Sequence, residues 1–250
     1  IKVGGVAEYF AEPRSIEEFS YLIEWANLNK QRCRIIGAGS NLLINNIFIK
    51  GLVVCTKKLK SLMVDPYSGI VEAEAGVMLP TLSNSLAKNG LKGGEWAVGI
   101  PGTLGGAIYM NAGTGNLSLA KNLISVKVIN NKTHEKLEIE KKDINFEYRF
   151  SSFQKNDLII ISARLHFEPN GNLKQLIQTT KNNLKLKTKT QPYDQPSFGS
   201  VFKNPENNFA AKLIDDMGLK GFKIGGAAIS TIHSNFIINT SSASSKDIYE

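Results

Sequence analysis

Gly99-Ile100-Pro101-Gly102-Thr103-Leu104-Gly105-Gly106-Ala107-Ile108-Tyr109-Met110-Asn111-Ala112-Gly113 is the stretch on which the reading of this chain turns. Together with Gly93, Gly94 and Gly115 it gathers eight of the chain's 22 glycines into 23 residues. Glycine loses more backbone entropy on folding than any other residue, so a simple connector would not keep that density. A backbone surface lying close against a flat, extended ligand accounts for it, with Pro101 stiffening the segment. Upstream, Ile35-Ile36-Gly37-Ala38-Gly39-Ser40-Asn41-Leu42-Leu43 reads as a strand running into a Gly-X-Gly turn. Free N–H groups in such a turn make a nest for phosphate oxygens. A dinucleotide fingerprint of the G-x-G-x-x-G kind is excluded, because its third glycine position is Leu42 and no acidic residue follows in Cys55–Lys60. Taken alone, this motif leaves two readings open, a phosphate nest and a tight turn without a ligand.

Outward from these segments the text alternates between helix and strand. Ser15-Ile16-Glu17-Glu18 is a capping-box signature, followed by Phe19, Leu22, Ile23 and Ala26 on one face. A helix is predicted from Leu79 to Asn89 with Gly90 beyond its end, a longer one after Asn172, and a short one over 209–217 stopped by Gly218. Strands are predicted at 34–36, 52–54, 70–75, 124–129, 136–139, 158–167 and 236–239. The strand-rich text of 120–167 points to an α+β chain with more than one sheet. Glu168-Pro169-Asn170-Gly171 is turn chemistry and marks the expected boundary between residues 1–168, in subdomains of about 1–65 and 66–168, and residues 169–250. Both ends read as cut: Ile1–Gly5 resembles the inside of a strand, and Ser244–Asp247 starts a helix that Glu250 leaves one turn long.

The chain has 250 residues, 42% of them hydrophobic and 21% charged, enough for one large or two modest domains. No apolar run approaches the length of a membrane span and no signal peptide opens the chain, so a cytoplasmic protein is expected. Cys33 and Cys55 lie in apolar text and read as reduced core thiols. The 30 basic residues against 22 acidic ones give +8, which invites a polyanion. The lysines are scattered, however, and no aromatic-basic motif appears. A small nucleotide or diphosphate therefore explains the excess better than nucleic acid.

Two further segments carry chemistry. In Tyr148-Arg149-Phe150-Ser151-Ser152-Phe153 the arginine is either a surface cation–π residue or a fork held ready for a carboxylate. Alone, the surface reading is the simpler. Pro196-Ser197-Phe198-Gly199-Ser200-Val201-Phe202-Lys203-Asn204-Pro205 presents a serine among turn formers, without the elbow, base or acid of a serine hydrolase. His134, His166 and His233 are too dispersed for a metal site, and His166 reads as a core residue.

As an ordered set, these segments resemble the UDP-N-acetylenolpyruvoylglucosamine reductases of bacterial cell-wall synthesis. Gly4-Gly5, Gln191-Pro192, Gly225-Gly226-Ala227 and His233-Ser234-Asn235-Phe236 belong to the same series, which spans nearly the whole chain. The short distance from Arg149 to Ser200 resembles the type II branch of that family. The resemblance implies a flavin fold of the vanillyl-alcohol-oxidase type, with two subdomains holding FAD and a C-terminal α+β domain over the substrate. It implies NADPH-driven reduction of an enolpyruvyl ether on a UDP-linked amino sugar.

Residue by residue, the resemblance implies that Gly37, Ala38, Gly39, Ser40, Asn41, Leu42, Gly99, Pro101, Gly102, Gly105, Gly106, Asn111 and Gly113 line FAD. Both glycine segments are expected to offer backbone N–H groups to its pyrophosphate. Arg149 would stabilise negative charge on the substrate and Ser200 would supply a proton, while Tyr148, Lys187, Lys189 and Asn204 would bind the UDP-sugar. Two departures stand out. The family's C-terminal glutamate has no matching position, and Lys187 stands where an arginine is usual, without the bidentate fork. A monomer is expected, with no nucleic-acid, membrane or metal partner. A related flavin oxidase and a basic nucleotide-binding module are the other readings. The Gly199-Ser200 motif, and the lack of a flavin-attachment His or Cys, count against the first; the glycine density counts against the second.

Overall fold

The computed structural model describes residues 1–45 and 47–250. By compactness the chain forms two units that interleave along the sequence. One is Glu8–Ala38 with Lys50–Leu184; the other is Ile1–Ala7, Gly39–Ile49 and Lys185–Glu250. The turn at Glu168–Gly171 lies within the first, where Lys92 N–H donates to Glu168 O and Gly171 N–H to Gly90 O, both at 2.8 Å.

The first unit holds two sheets. In one, β1 (Ala7–Ala11), β3 (Ile49–Cys55) and β2 (Cys33–Ile36) lie in the order β1-β3-β2, and β2 runs parallel to β3 with Cys33 opposite Leu52 and Ile36 opposite Cys55. Helix α1 (Ile16–Leu28) buries Phe19, Ile23 and Ala26 in a core shared with Leu52, Val54, Leu59, Ile129 and Ile161. Its Ser15 cap accepts from Glu18 N–H, but the Glu18 carboxylate takes the Arg14 N–H, so the capping box is not closed reciprocally.

The second sheet has the order β4-β5-β12-β8-β9, from β4 (Leu62–Val64), β5 (Ile70–Glu74), β8 (Leu123–Asn130), β9 (Lys136–Glu140) and β12 (Leu158–His166), all antiparallel. In β12 the alternation buries Ala163 and Leu165 and exposes Arg164 and His166. His166 is therefore a solvent-face residue rather than the core histidine expected from its apolar neighbours. Helices α2 (Leu79–Lys88) and α3 (Leu104–Tyr109) cover the sheet through Leu79, Leu82, Leu86, Leu104 and Ile108, none more than 1% exposed. Two small hairpins complete this region: β6 (Gly113–Thr114) with β7 (Leu117–Ser118), and β10 (Phe146–Glu147) with β11 (Phe150–Ser151). Asn172 caps α4 (Leu173–Thr190), accepting from Gln175 N–H at 3.1 Å.

The other unit centres on β13-β16-β15-β14, from β13 (Ser197–Ser200), β14 (Lys223–Ile224), β15 (Ala227–Ile229) and β16 (Phe236–Asn239), with short helices α5 (Ala210–Asp216) and α6 (Ser245–Tyr249). The opening residues 1–6 form no strand. Instead the Ile1 amino group donates to Ser197 O and Asn239 Nδ2 donates to Ile1 O. Ser244 and Asp247 close a reciprocal box at α6, and the Asp247 carboxylate also accepts from Gly226 N–H. The Ser244 and Gly226 N–H groups hold that carboxyl below its ordinary value, so its stabilisation is present at neutral pH and is lost as pH falls through the lowered value.

No helix of the described residues is long and apolar enough to cross a membrane. Both cysteines are free, and burial pushes the Cys33 thiol up to about 11. Truncating Leu104, which is 0% exposed, removes the main anchor of α3. Leu104→Ala is expected to cost about 2–5 kcal/mol, measured as a lower urea midpoint at unchanged slope.

Candidate functional site

The end of β2 and the start of α3 meet at one point. A Cβ on Gly37 would overlap the Thr103 hydroxyl, so the two glycine-rich segments touch only because residue 37 has no side chain. Thr103 is the N-cap of α3, accepting from Gly106 N–H at 3.5 Å. Leu104 N–H donates to Val77 O and Gly105 N–H to Ala75 O, both at 2.8 Å, while Ala107 N–H donates to Thr103 O at 2.9 Å. Most donors at this helix start are therefore spent inside the protein, against the expectation that both segments offer their amides. Several glycines here also have internal reasons: a Cβ on Gly105 would lie 2.9 Å from Ala75 Cβ, and one on Gly113 would strike Leu117 O. What the second segment presents is shape: Gly106 is exposed, and a Cβ there would have no neighbour nearer than 3.5 Å.

The first segment is different. Among the described residues, the N–H groups of Ala38, Gly39, Ser40 and Asn41 donate to no acceptor. Gly39 has φ of +66° with open space where a Cβ would be, and Leu42 is 41% exposed. A run of undonated amides around one left-handed residue is the nest geometry that takes anionic oxygens.

Three further bonds tie the arginine motif to the glycine stretch. Asn111, itself at φ +43°, donates through Nδ2 to Glu147 O at 2.8 Å. Ser151 Oγ donates to Tyr109 O at 2.8 Å, and Arg149 Nη2 donates to Gly113 O at 3.0 Å. Asn111 Oδ1 is buried and has no partner among the described residues. An orphaned buried acceptor is costly unless a ligand donor satisfies it. Tyr148 and Arg149 form the two-residue turn of the β10–β11 hairpin, and only Arg149 has positive φ, +58°. That is the second central position of a type II turn, where glycine or asparagine belongs. The Arg149 guanidinium lies 5.1 Å from the centre of the Tyr148 ring, and Gln154 Nε2 reaches Tyr109 O at 2.8 Å and Arg149 O at 3.3 Å.

In the other unit Ser200 is exposed at the end of β13, opposite Phe236, directly after Gly199 at φ +77°. Asn204 Oδ1 accepts from Ala210 N–H at 3.1 Å, just before α5. Lys187 and Lys189 occupy the last turn of α4. Gly99 is buried, and Pro101 is exposed with Gly102 partly so.

The FAD binding domain family matches residues 7–135, and the UDP-N-acetylenolpyruvoylglucosamine reductase, C-terminal domain, family matches residues 191–250. A UDP-N-acetylenolpyruvoylglucosamine reductase of Prochlorococcus marinus subsp. pastoris is 69% identical over 250 residues, covering all of this chain and 84% of the relative. The chain belongs to the UDP-N-acetylenolpyruvoylglucosamine reductase family. A second relative of that name, from Prochlorococcus marinus strain NATL2A, is 51% identical over 99% of this chain and 84% of its own length. The crystal structure of UDP-N-acetylenolpyruvylglucosamine reductase from Thermus caldophilus aligns with a TM-score of 0.83 at 32% identity, covering 99% of this chain and 86% of that one. A Bermuda grass isoallergen aligns over 66% of this chain and 36% of its own, with a TM-score of 0.52 at 16% identity, and shares the fold alone. The architecture is thus α+β, of the vanillyl-alcohol-oxidase flavin type, with a family-specific C-terminal part.

Sequence reasoning missed Thr103 and Gln154. Thr103 had a signal, a threonine directly before an apolar-containing turn, which is N-cap chemistry; Gln154 had none. Gly37→Ala is expected to displace the Thr103 cap, destabilising by about 1–3 kcal/mol and lowering the flavin that copurifies. In Gly37→Ala/Thr103→Ala the costs should be sub-additive by chemical denaturation, since the overlap is removed; simple additivity would show that the contact does not constrain the site.

Proposed function

We propose that Arg149 and Ser200 carry the reduction this family performs, and that the two glycine-rich segments hold its flavin. The enzyme is an FAD-dependent oxidoreductase of peptidoglycan synthesis, reducing UDP-N-acetylenolpyruvoylglucosamine with NADPH as hydride donor. FAD, when bound, supplies a carrier that accepts hydride from NADPH and returns it to the enolpyruvyl double bond. The free amides of Ala38–Asn41 suit its pyrophosphate, together with Gly37 and Leu42. Gly102 and Gly106 give it a face without side chains, beside Pro101, with Gly99, Gly105 and Gly113 assigned to the shape of that segment, and Asn111 Oδ1 offers an acceptor to a ring N–H.

As the double bond gains hydride, charge builds on the adjacent carbon and its carboxylate. A guanidinium fixed in advance favours that more anionic state over the ground state. Ser200 then places a hydroxyl to protonate the carbon, with Lys203 or a water assisting a weak acid. Tyr148, Lys187, Lys189 and Asn204 are assigned to the UDP-sugar, with residues 169–250 as the substrate-binding part and 1–168 as the flavin-binding part. The same reading has a monomer working in the cytoplasm on small molecules, without nucleic-acid or membrane partners.

One observation carries this reading: an arginine held by Gly113 O in a turn position built for glycine. A left-handed non-glycine residue costs on the order of 1–2 kcal/mol, and such strain persists where function requires it. Arg149→Gly is therefore expected to leave thermal stability equal or up to about 1 kcal/mol higher, while reduction of the enolpyruvyl substrate collapses. A loss of stability with turnover retained would remove Arg149 from the chemistry. For Ser200→Ala, yellow protein should still bleach with NADPH but regain colour slowly with substrate. Normal turnover in that variant would assign the proton to another group.

A further inference from the structure

Asn235 is 3% exposed, in the turn that leads into β16. Its side-chain amide pairs with both backbone polar groups of one residue: Nδ2 donates to Phe202 O at 2.9 Å, and Oδ1 accepts from Phe202 N–H at 2.9 Å. Its own backbone carbonyl accepts from Val201 N–H at 2.9 Å. The last regular rung of the β13–β16 ladder is Ser200 opposite Phe236, and the register slips between Ser197 and Ser200. The backbone before Ser200 is thus irregular, through the slip and the left-handed Gly199. The backbone after it leaves the strand, with Phe202 at a bend, and is tied down there by a side chain that takes the place of a strand residue. A buried primary amide supplies a donor and an acceptor side by side, as the N–H and C=O of one strand residue do for the residue opposite.

We propose that Asn235 is a positioning residue for the reduction, fixing the direction of the Ser200 hydroxyl by pinning Val201 and Phe202 directly behind it. The inference rests on the reading of Ser200 as proton donor. His233 stands two residues earlier, its Nδ1 accepting from Asn235 N–H at 3.3 Å and its ring packed 4.7 Å from that of Phe236. Burial lowers its pKa. Asn235 is held from behind as it holds Phe202.

The test uses the FAD-loaded full chain with Asn235→Ala and Asn235→Asp. Asn235→Ala should speed hydrogen exchange at the Phe202 amide and slow substrate-driven recovery of flavin colour on the order of 10- to 100-fold, with NADPH-driven bleaching within about twofold of the parent. Asn235→Asp carries the sharper signature. As a carboxylate it accepts from Phe202 N–H but repels Phe202 O; once protonated it donates and accepts as the amide does. Its rate relative to the parent at the same pH should therefore rise as pH is lowered from 8 towards 5, and dividing by the parent removes the titration of His233. A flat ratio with Phe202 exchange unchanged would overturn the inference, as would equal loss of both half-reactions. Ser200→Ala separates the premises. If it turns over normally, the reading of Ser200 fails. If it is slow while Asn235→Asp matches the parent at every pH, only the role of Asn235 fails.

Discussion

The contact of Gly37 with the Thr103 cap is the constraint on which the candidate site depends. Helix α3 has only six residues, too few to persist unaided, because a first helical turn fixes several dihedrals for one hydrogen bond. It is held instead by the carbonyls of Ala75 and Val77 at its start, by the Thr103 hydroxyl, and by Leu104 and Ile108 in the core. From its far end Tyr109, Asn111 and Gly113 supply the groups that fasten the β10–β11 hairpin, and hence Arg149. A side chain at residue 37 would therefore be felt four contacts away, at a guanidinium more than a hundred residues on.

Much of this was legible in the text. The helix limits at Ser15, Gly90, Asn172 and Gly218 follow from capping chemistry that acts within a few residues, and β5, β8, β9 and β12 of the large sheet follow from alternation or unbroken apolar runs, whereas the three-residue β4 is too short to show either. Helix α3 was not legible, because Gly105 and Gly106 at its centre lower its intrinsic propensity by about 1 kcal/mol each. Its stability is tertiary. His166 was misplaced for a related reason: apolar neighbours at odd spacing say which residues alternate, whereas the partner strands decide which face is wet.

The glycines teach a similar lesson. Read as a density, they pointed to one cause, yet the structure separates two. Gly105 and Gly113 make room for other parts of the protein, whereas Gly39 and Gly106 leave room that nothing in their own surroundings fills. Among the described residues the undonated amides lie in the Ala38–Asn41 turn, whereas the Gly99–Gly113 segment has most of its own bonded internally. Composition reports that backbone must come close to something; only hydrogen-bond accounting says to what.

The parallel pairing of β2 with β3 has a topological consequence. Antiparallel neighbours can be joined by two residues, but parallel ones require the chain to travel back the length of the sheet before it re-enters. That return falls between Ile36, where β2 ends, and Ile49, where β3 begins. The turn proposed to take the flavin's pyrophosphate thus sits at the start of an excursion that strand direction makes compulsory.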